Sequence, residues 1–167
     1  MDNYAGKELV VLGFPLMLLA LQWLCSAATS LDPKRMAHSE KMLKLILWLI
    51  PALSVVLHAV IYAAALGSGV RVETIAPILL GLLLAITGNY MPKCRQNYTI
   101  GLKLPWTLNS EANWNQTHRF GGRVWLAGGL LMILAGLLGS LWAMIVLLVV
   151  MIAAPILYSL KLHLKGV

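Results

Sequence analysis

The chain has 167 residues, of which 60% are hydrophobic and 11% charged, with a mean hydropathy of +0.82 and a formal charge of +7. Soluble domains carry about a quarter charged residues, so this composition excludes an ordinary soluble globule and points to lipid as the solvent. The length excludes a separate soluble domain beside a bundle of spans. The positive balance reads as membrane topology and not as direct nucleic-acid binding.

The leader MDNYAGKE has two acids and one lysine, unlike a basic signal-peptide n-region. The apolar run that follows is long enough to be retained as a helix. About 20 apolar residues cross a bilayer, and five stretches meet that length: 9–28, 43–66, 74–91, 123–139 and 141–160. Pro77 falls in the first turn of the third, where a missing N–H costs little. As one helix, Val124–Leu160 would be about 55 Å long, against a ~30 Å hydrocarbon core. A tight hairpin is therefore predicted at Gly139–Ser140. The fold class is all-α, a polytopic helical membrane protein forming one domain.

Lys34, Arg35, Lys41 and Lys44 lie between spans one and two, and Lys93, Arg95, Lys103, Arg119 and Arg123 between spans three and four. Lys161 and Lys165 close the chain on the same side, leaving Lys7 and Arg71 opposite. Basic residues collect in the cytoplasm, which predicts an outside N-terminus and a cytoplasmic C-terminus in a multi-pass cell-membrane protein. Trp23, Trp48 and Trp125 fall near the inner boundary and Trp142 near the outer one. The two cysteines, Cys25 and Cys94, are predicted to be free thiols on the reducing side.

Gly122, Gly129 and Gly136 recur every seven residues, and Gly81 and Ala85 stand one turn apart. Small residues let membrane helices approach closely, so these faces are predicted to pack, within the monomer or equally across a homo-oligomer. In span two, Ser54, His58 and Tyr62 share one face. His58 is the one ionisable group deep in a span, hence a candidate for function. The plainer reading is a neutral imidazole hydrogen-bonded to Ser54 or Tyr62. No carboxylate lies deep in a span, which argues against a proton-coupled relay.

The polar segment 88–122 is too long for a simple connection. Its tryptophans Trp106 and Trp114, and glycines including Gly101 and Gly122, predict a folded element. Leu104 before Pro105 is extended, and Ser110 caps a short helix placing Trp114 and His118 on one face. That helix is expected to lie in the interface, with tryptophan toward lipid and basic groups toward headgroups. His118, Cys94 and Glu111 lack the spacing of a metal site, GNYMPK lacks P-loop glycines, and no cofactor is indicated.

The ordered run Gly88-Asn89, Lys93, Asn97, Gly101, Lys103, Pro105-Trp106-Thr107, Trp114, Thr117-His118-Arg119 and Gly122 resembles the signature of the SdpI family. These are bacterial and archaeal membrane proteins linked to immunity against a secreted antimicrobial peptide. Lys103 stands where arginine is more usual, which weakens bidentate anion contact. Longer members carry an additional leading span, and this chain reads as a short form. The resemblance implies a non-enzymatic protective protein whose binding residues are those named. It also implies membrane lipids, a peptide toxin and, in some members, a membrane-held transcriptional repressor as partners. Two other classes stay open. One is an interfacial lipid enzyme with His118 as general base and Lys93 and Arg119 as phosphate anchors. The other is a small transporter using His58.

Overall fold

A computed structural model describes residue 6 and residues 8–31 and 40–167, with the backbone alone over 40–46. Lys7, Lys34 and Arg35 lie outside the described residues, as do the side chains of Lys41 and Lys44.

The described residues are helical over nearly all of the expected spans, with turns at Leu66 and at Leu138–Gly139. A π-helical turn, Leu9–Gly13, leads into α1 (Phe14–Leu31). Helices α2 (Glu40–Ala65) and α3 (Val72–Tyr90) follow, and a 3-10 turn, Met91–Lys93, ends the third. A one-turn helix α4 (Pro105–Asn109) precedes α5 (Glu111–Leu137) and α6 (Leu141–Leu164). Five stretches among them are long and apolar enough to cross a membrane.

The helix that holds the fourth expected span begins earlier than that span. Helix α5 runs unbroken from Glu111, so the short interfacial helix and the span expected from Arg123 are one element. Asn113, Thr117, His118 and Arg119 lower the local hydropathy, but nothing in them breaks a helix. Pro77 also lies deeper than expected, because α3 starts at Val72. The hairpin at Gly139–Ser140 is as expected. Gly139 takes φ +67, and the Ser140 hydroxyl caps α6 by accepting from the Ala143 N–H at 3.4 Å.

The bundle is built around α3 and α5, its most extensive interface, with α6 against the other side of α5. The glycine faces explain this. A Cβ on Gly129 would stand 2.5 Å from both the Ala85 nitrogen and the Gly81 carbonyl oxygen. One on Gly88 would meet the Leu126 nitrogen at 2.5 Å, and one on Gly136 the Pro77 ring at 2.9 Å. The two backbones touch directly, and dispersion contact replaces side-chain interdigitation.

Prolines inside α2 and α6 each free a carbonyl one turn back, which hydrocarbon cannot hydrate. Neighbouring helices supply the donors. Pro51 frees Leu47, whose oxygen accepts from Gln22 Nε2 at 2.7 Å. Pro155 frees Met151, whose oxygen accepts from Trp125 Nε1 at 2.8 Å. Among the described residues, helix α1 packs chiefly on α2, and α2 touches α3 lightly. Trp23, Trp48 and Trp142 are exposed, as side chains facing lipid or the interface are.

Candidate functional site

The polar segment folds into a module at one end of the bundle, between the close of α3 and the first three turns of α5. Its loop is organised by Asn97, which is 1% exposed. The Asn97 carboxamide oxygen accepts the backbone N–H groups of Thr99 and Ile100 at 2.8 and 2.6 Å. Its nitrogen donates to the carbonyls of Arg95 and Ile100 and lies 3.4 Å from the Cys94 sulfur. One side chain thereby replaces the hydrogen bonds that a regular element would supply to this backbone.

Beneath the loop lies Trp114, fully buried, its indole N–H donating to the Cys94 carbonyl at 2.8 Å. This corrects the expectation that Trp114 faces lipid. The rings of Trp114 and His118 stack at 4.0 Å between centroids. His118 Nδ1 lies 2.8 Å from the Trp114 carbonyl and must donate to it, so Nε2 is the acceptor that takes the Leu102 N–H at 3.0 Å. Both ring nitrogens are thus occupied. Gly101 passes over this ring with φ +112, and a Cβ there would run into His118 Nε2. Only glycine fits that backbone and that approach.

Thr107, also fully buried, holds the turn into α4, accepting from the Leu104 N–H at 2.9 Å and donating to the Leu102 carbonyl at 2.8 Å. Gln96 reaches across to the Thr107 and Leu108 carbonyls. The Ser110 hydroxyl caps α5 as expected, 3.2 Å from the Asn113 nitrogen.

A polar chain then ties the module to α6. Trp106 Nε1 donates to Ser159 Oγ at 2.8 Å, and Ser159 Oγ donates to Asn113 Oδ1 at 2.9 Å. Thr117 donates to the same Asn113 oxygen at 3.0 Å, and Asn113 Nδ2 donates to the Ser159 carbonyl. The Trp106 ring stacks on His163 at 5.6 Å. Between them and Pro105 opens a groove of about 460 Å³. Ser159 and Asn113 are absent from the expected binding set. The one serine within α6, at the end of its long apolar run, is the signal that points to the first.

The expected binding residues thus divide in two. Asn97, Thr107, Trp114, Thr117, His118 and Gly122 are buried and brought together as the frame. Asn89, Lys93, Lys103, Pro105 and Arg119 are exposed on its rim, with Gly101 at the loop surface and Trp106 half-buried beside them. Lys93 Nζ rests 4.8 Å above the Tyr90 ring. Ser54, His58 and Tyr62 are far from this group, on α2. No cluster of three potential metal ligands occurs among the described residues. Both cysteines are free, and burial pushes the Cys94 thiol up to about 11, partly offset by Asn97.

Fold and site together define a polytopic helical membrane protein carrying a folded polar module at one end of its bundle. Residues 93–159 match the model of the SdpI/YfhL protein family, covering most of that module together with α5 and most of α6. The chain is 30% identical over 96 residues to the immunity protein SdpI of Bacillus subtilis (strain 168). That alignment covers 58% of this chain and 46% of the relative, so the chain spans about half the length of the curated relative it matches. The SdpI-family resemblance read from the segment is therefore shown by both comparisons. No solved structure matches.

Proposed function

We propose that this chain is a non-enzymatic immunity-type protein of a bacterial or archaeal cytoplasmic membrane. It protects the cell that makes it against a secreted antimicrobial peptide. The polar module is its working face on the cytoplasmic side, in line with the distribution of basic residues. The observation that carries the reading is the coincidence of the family match with the module and the helices that frame it. Within the module the buried residues serve as frame. Lys93, Lys103, Arg119 and the face of Trp106 remain to meet a headgroup, a toxin or a membrane-held cytoplasmic regulator.

The geometry counts against the lipid-enzyme reading. A general base needs a free lone pair within reach of its proton, and His118 has neither nitrogen free. The cysteine nearest to it is a high-pKa thiol already in contact with Asn97, the opposite of an activated nucleophile.

The test is survival of sensitive cells expressing the full chain under challenge with peptide fractions secreted by bacilli. Lys103→Gln combined with Arg119→Gln, at matched expression, is expected to abolish protection. Full protection by that variant overturns the rim as the working surface. A changed lipid profile in cells carrying the chain would favour the enzyme reading instead.

A further inference from the structure

A cavity of about 160 Å³ lies under the loop of the polar module. Thr87 and Met91 wall it from the end of the third span, Ile100 and Leu102 from the loop, and His118 and Trp125 from α5. The polar side chains on this wall are already engaged. The Thr87 hydroxyl donates to the Leu83 carbonyl at 2.8 Å, and the Trp125 N–H goes to Met151. Both His118 nitrogens are occupied. Cys94 Sγ, also on the wall, faces the Ile100 carbonyl at 3.6 Å. An apolar cavity of this size stays dry and accepts a carbon group about as large as benzene. A peptide backbone entering it would leave its own N–H and C=O groups unpaired, at a cost.

The cavity sits where acyl chains give way to headgroups. Helix α3 ends at Tyr90 and the 3-10 turn at Lys93, about two helical turns past Thr87. The loop above it is basic. Arg95 follows Cys94 and Lys103 follows Leu102, and both are exposed. Between Gly88 and Gly122, Glu111 is the one acidic residue, against Lys93, Arg95, Lys103 and Arg119. Anionic lipids give the cytoplasmic leaflet its negative surface, which attracts such basic groups.

We infer that this cavity seats the first carbons of an acyl chain of an anionic phospholipid in the cytoplasmic leaflet, with the phosphate held by Arg95 and Lys103. One molecule then supplies both carbon for the dry wall and negative charge for the basic loop. The inference rests on the proposed reading of the module as a working face on the cytoplasmic side, and it names the class of lipid that this face meets.

The test uses the full chain in phosphatidylcholine liposomes holding a trace of photoreactive lipid, either phosphatidylglycerol or phosphatidylcholine. The reactive group stands near the glycerol end of one acyl chain. Phosphatidylglycerol is expected to label 87–102 and 118–125 about fivefold more than phosphatidylcholine for each basic group that engages it. Lys103→Gln is expected to cut that excess about fivefold. Ile100→Phe, which fills the cavity, is expected to abolish labelling there with the fold intact by circular dichroism. Equal labelling of the native chain by the two lipids overturns the proposal, as does phosphatidylglycerol labelling spread evenly over the five spans. Undiminished labelling of a folded Ile100→Phe variant overturns the cavity as the seat. None of these results depends on survival of challenged cells. Rim variants that keep full protection would therefore refute the immunity reading separately, whatever the lipid result.

Discussion

Trp125 on α5 donates its indole N–H to the carbonyl of Met151 on α6, 2.8 Å away, at the point where Pro155 leaves that carbonyl without a backbone donor. The proline and the tryptophan are therefore a functional pair, although neither touches the other's backbone bond directly. Trp125→Phe keeps most of the packing and loses the donor. It is expected to cost about 1–3 kcal/mol. In a Pro155→Ala background the restored backbone N–H serves the carbonyl, and the same change is expected to cost less. Thermal unfolding of the four proteins in detergent measures the coupling. Equal costs in both backgrounds would show that the bond has no such role.

Asn97→Ala removes bonds to four backbone groups of the loop at once. The expected outcome is a loop cut rapidly by protease between Cys94 and Gly101, with the spans still folded by circular dichroism. Lys103→Gln, on the exposed rim, is expected to leave cleavage unchanged. Asn97→Asp keeps the two acceptor contacts and loses the donors, so it should fall between them.

Gly129→Ala tests the backbone seam. The added methyl has no space beside Ala85 and Gly81, and overpacking of this kind costs about 1–3 kcal/mol. Gly139→Ala meets no neighbour, yet its φ of +67 is unfavourable for alanine. The first change is expected to lower the unfolding temperature and loosen α3 from α5, seen as faster hydrogen exchange along both. The second should lower it without that local loosening.

Cys94 is held protonated by its burial, with its pKa pushed up from 9.0 to about 11. In a Cys25→Ser background, maleimide at pH 8 is expected to leave the native protein unlabelled and to label it fully once unfolded. The linkage has a definite sign. The unfolded thiol ionises near 9 and the folded one near 11, so its stabilising effect is complete below pH 9 and is lost as pH rises toward 11. Rapid native labelling at pH 8 would contradict the buried placement.

Much of this architecture is readable from the residues, and the parts that are not share a cause. Long apolar runs mark α1, α2, α3 and α6, and the glycine period marks the α3–α5 contact, because lipid exposure and close approach leave compositional traces. The start of α5 is hidden because Asn113, Thr117 and His118 look like interface residues. Two of their partners, Ser159 and the Leu102 N–H, come from parts of the chain that only folding brings near. Trp114 misleads for the same reason: its N–H is satisfied by a carbonyl twenty residues away, so it needs no membrane surface. The proline-to-donor pairings are equally invisible. A proline predicts a freed carbonyl but not which neighbour will supply Gln22 or Trp125.

The contact between α3 and α5 also orders events during synthesis. The module lies in the chain between the two helices that clamp it, and the Trp114 indole and His118 imidazole that underlie its loop both sit on the later one. Until α5 leaves the ribosome, Asn97 can shape its own loop, but Cys94 has no Trp114 to receive and Leu102 no His118. Trp106 and Asn113 wait longer still, for Ser159 near the end of α6. The polar module, though encoded in the middle, is therefore among the last parts of the protein to be finished, and a nascent chain stopped after α4 would expose it unassembled at the membrane surface.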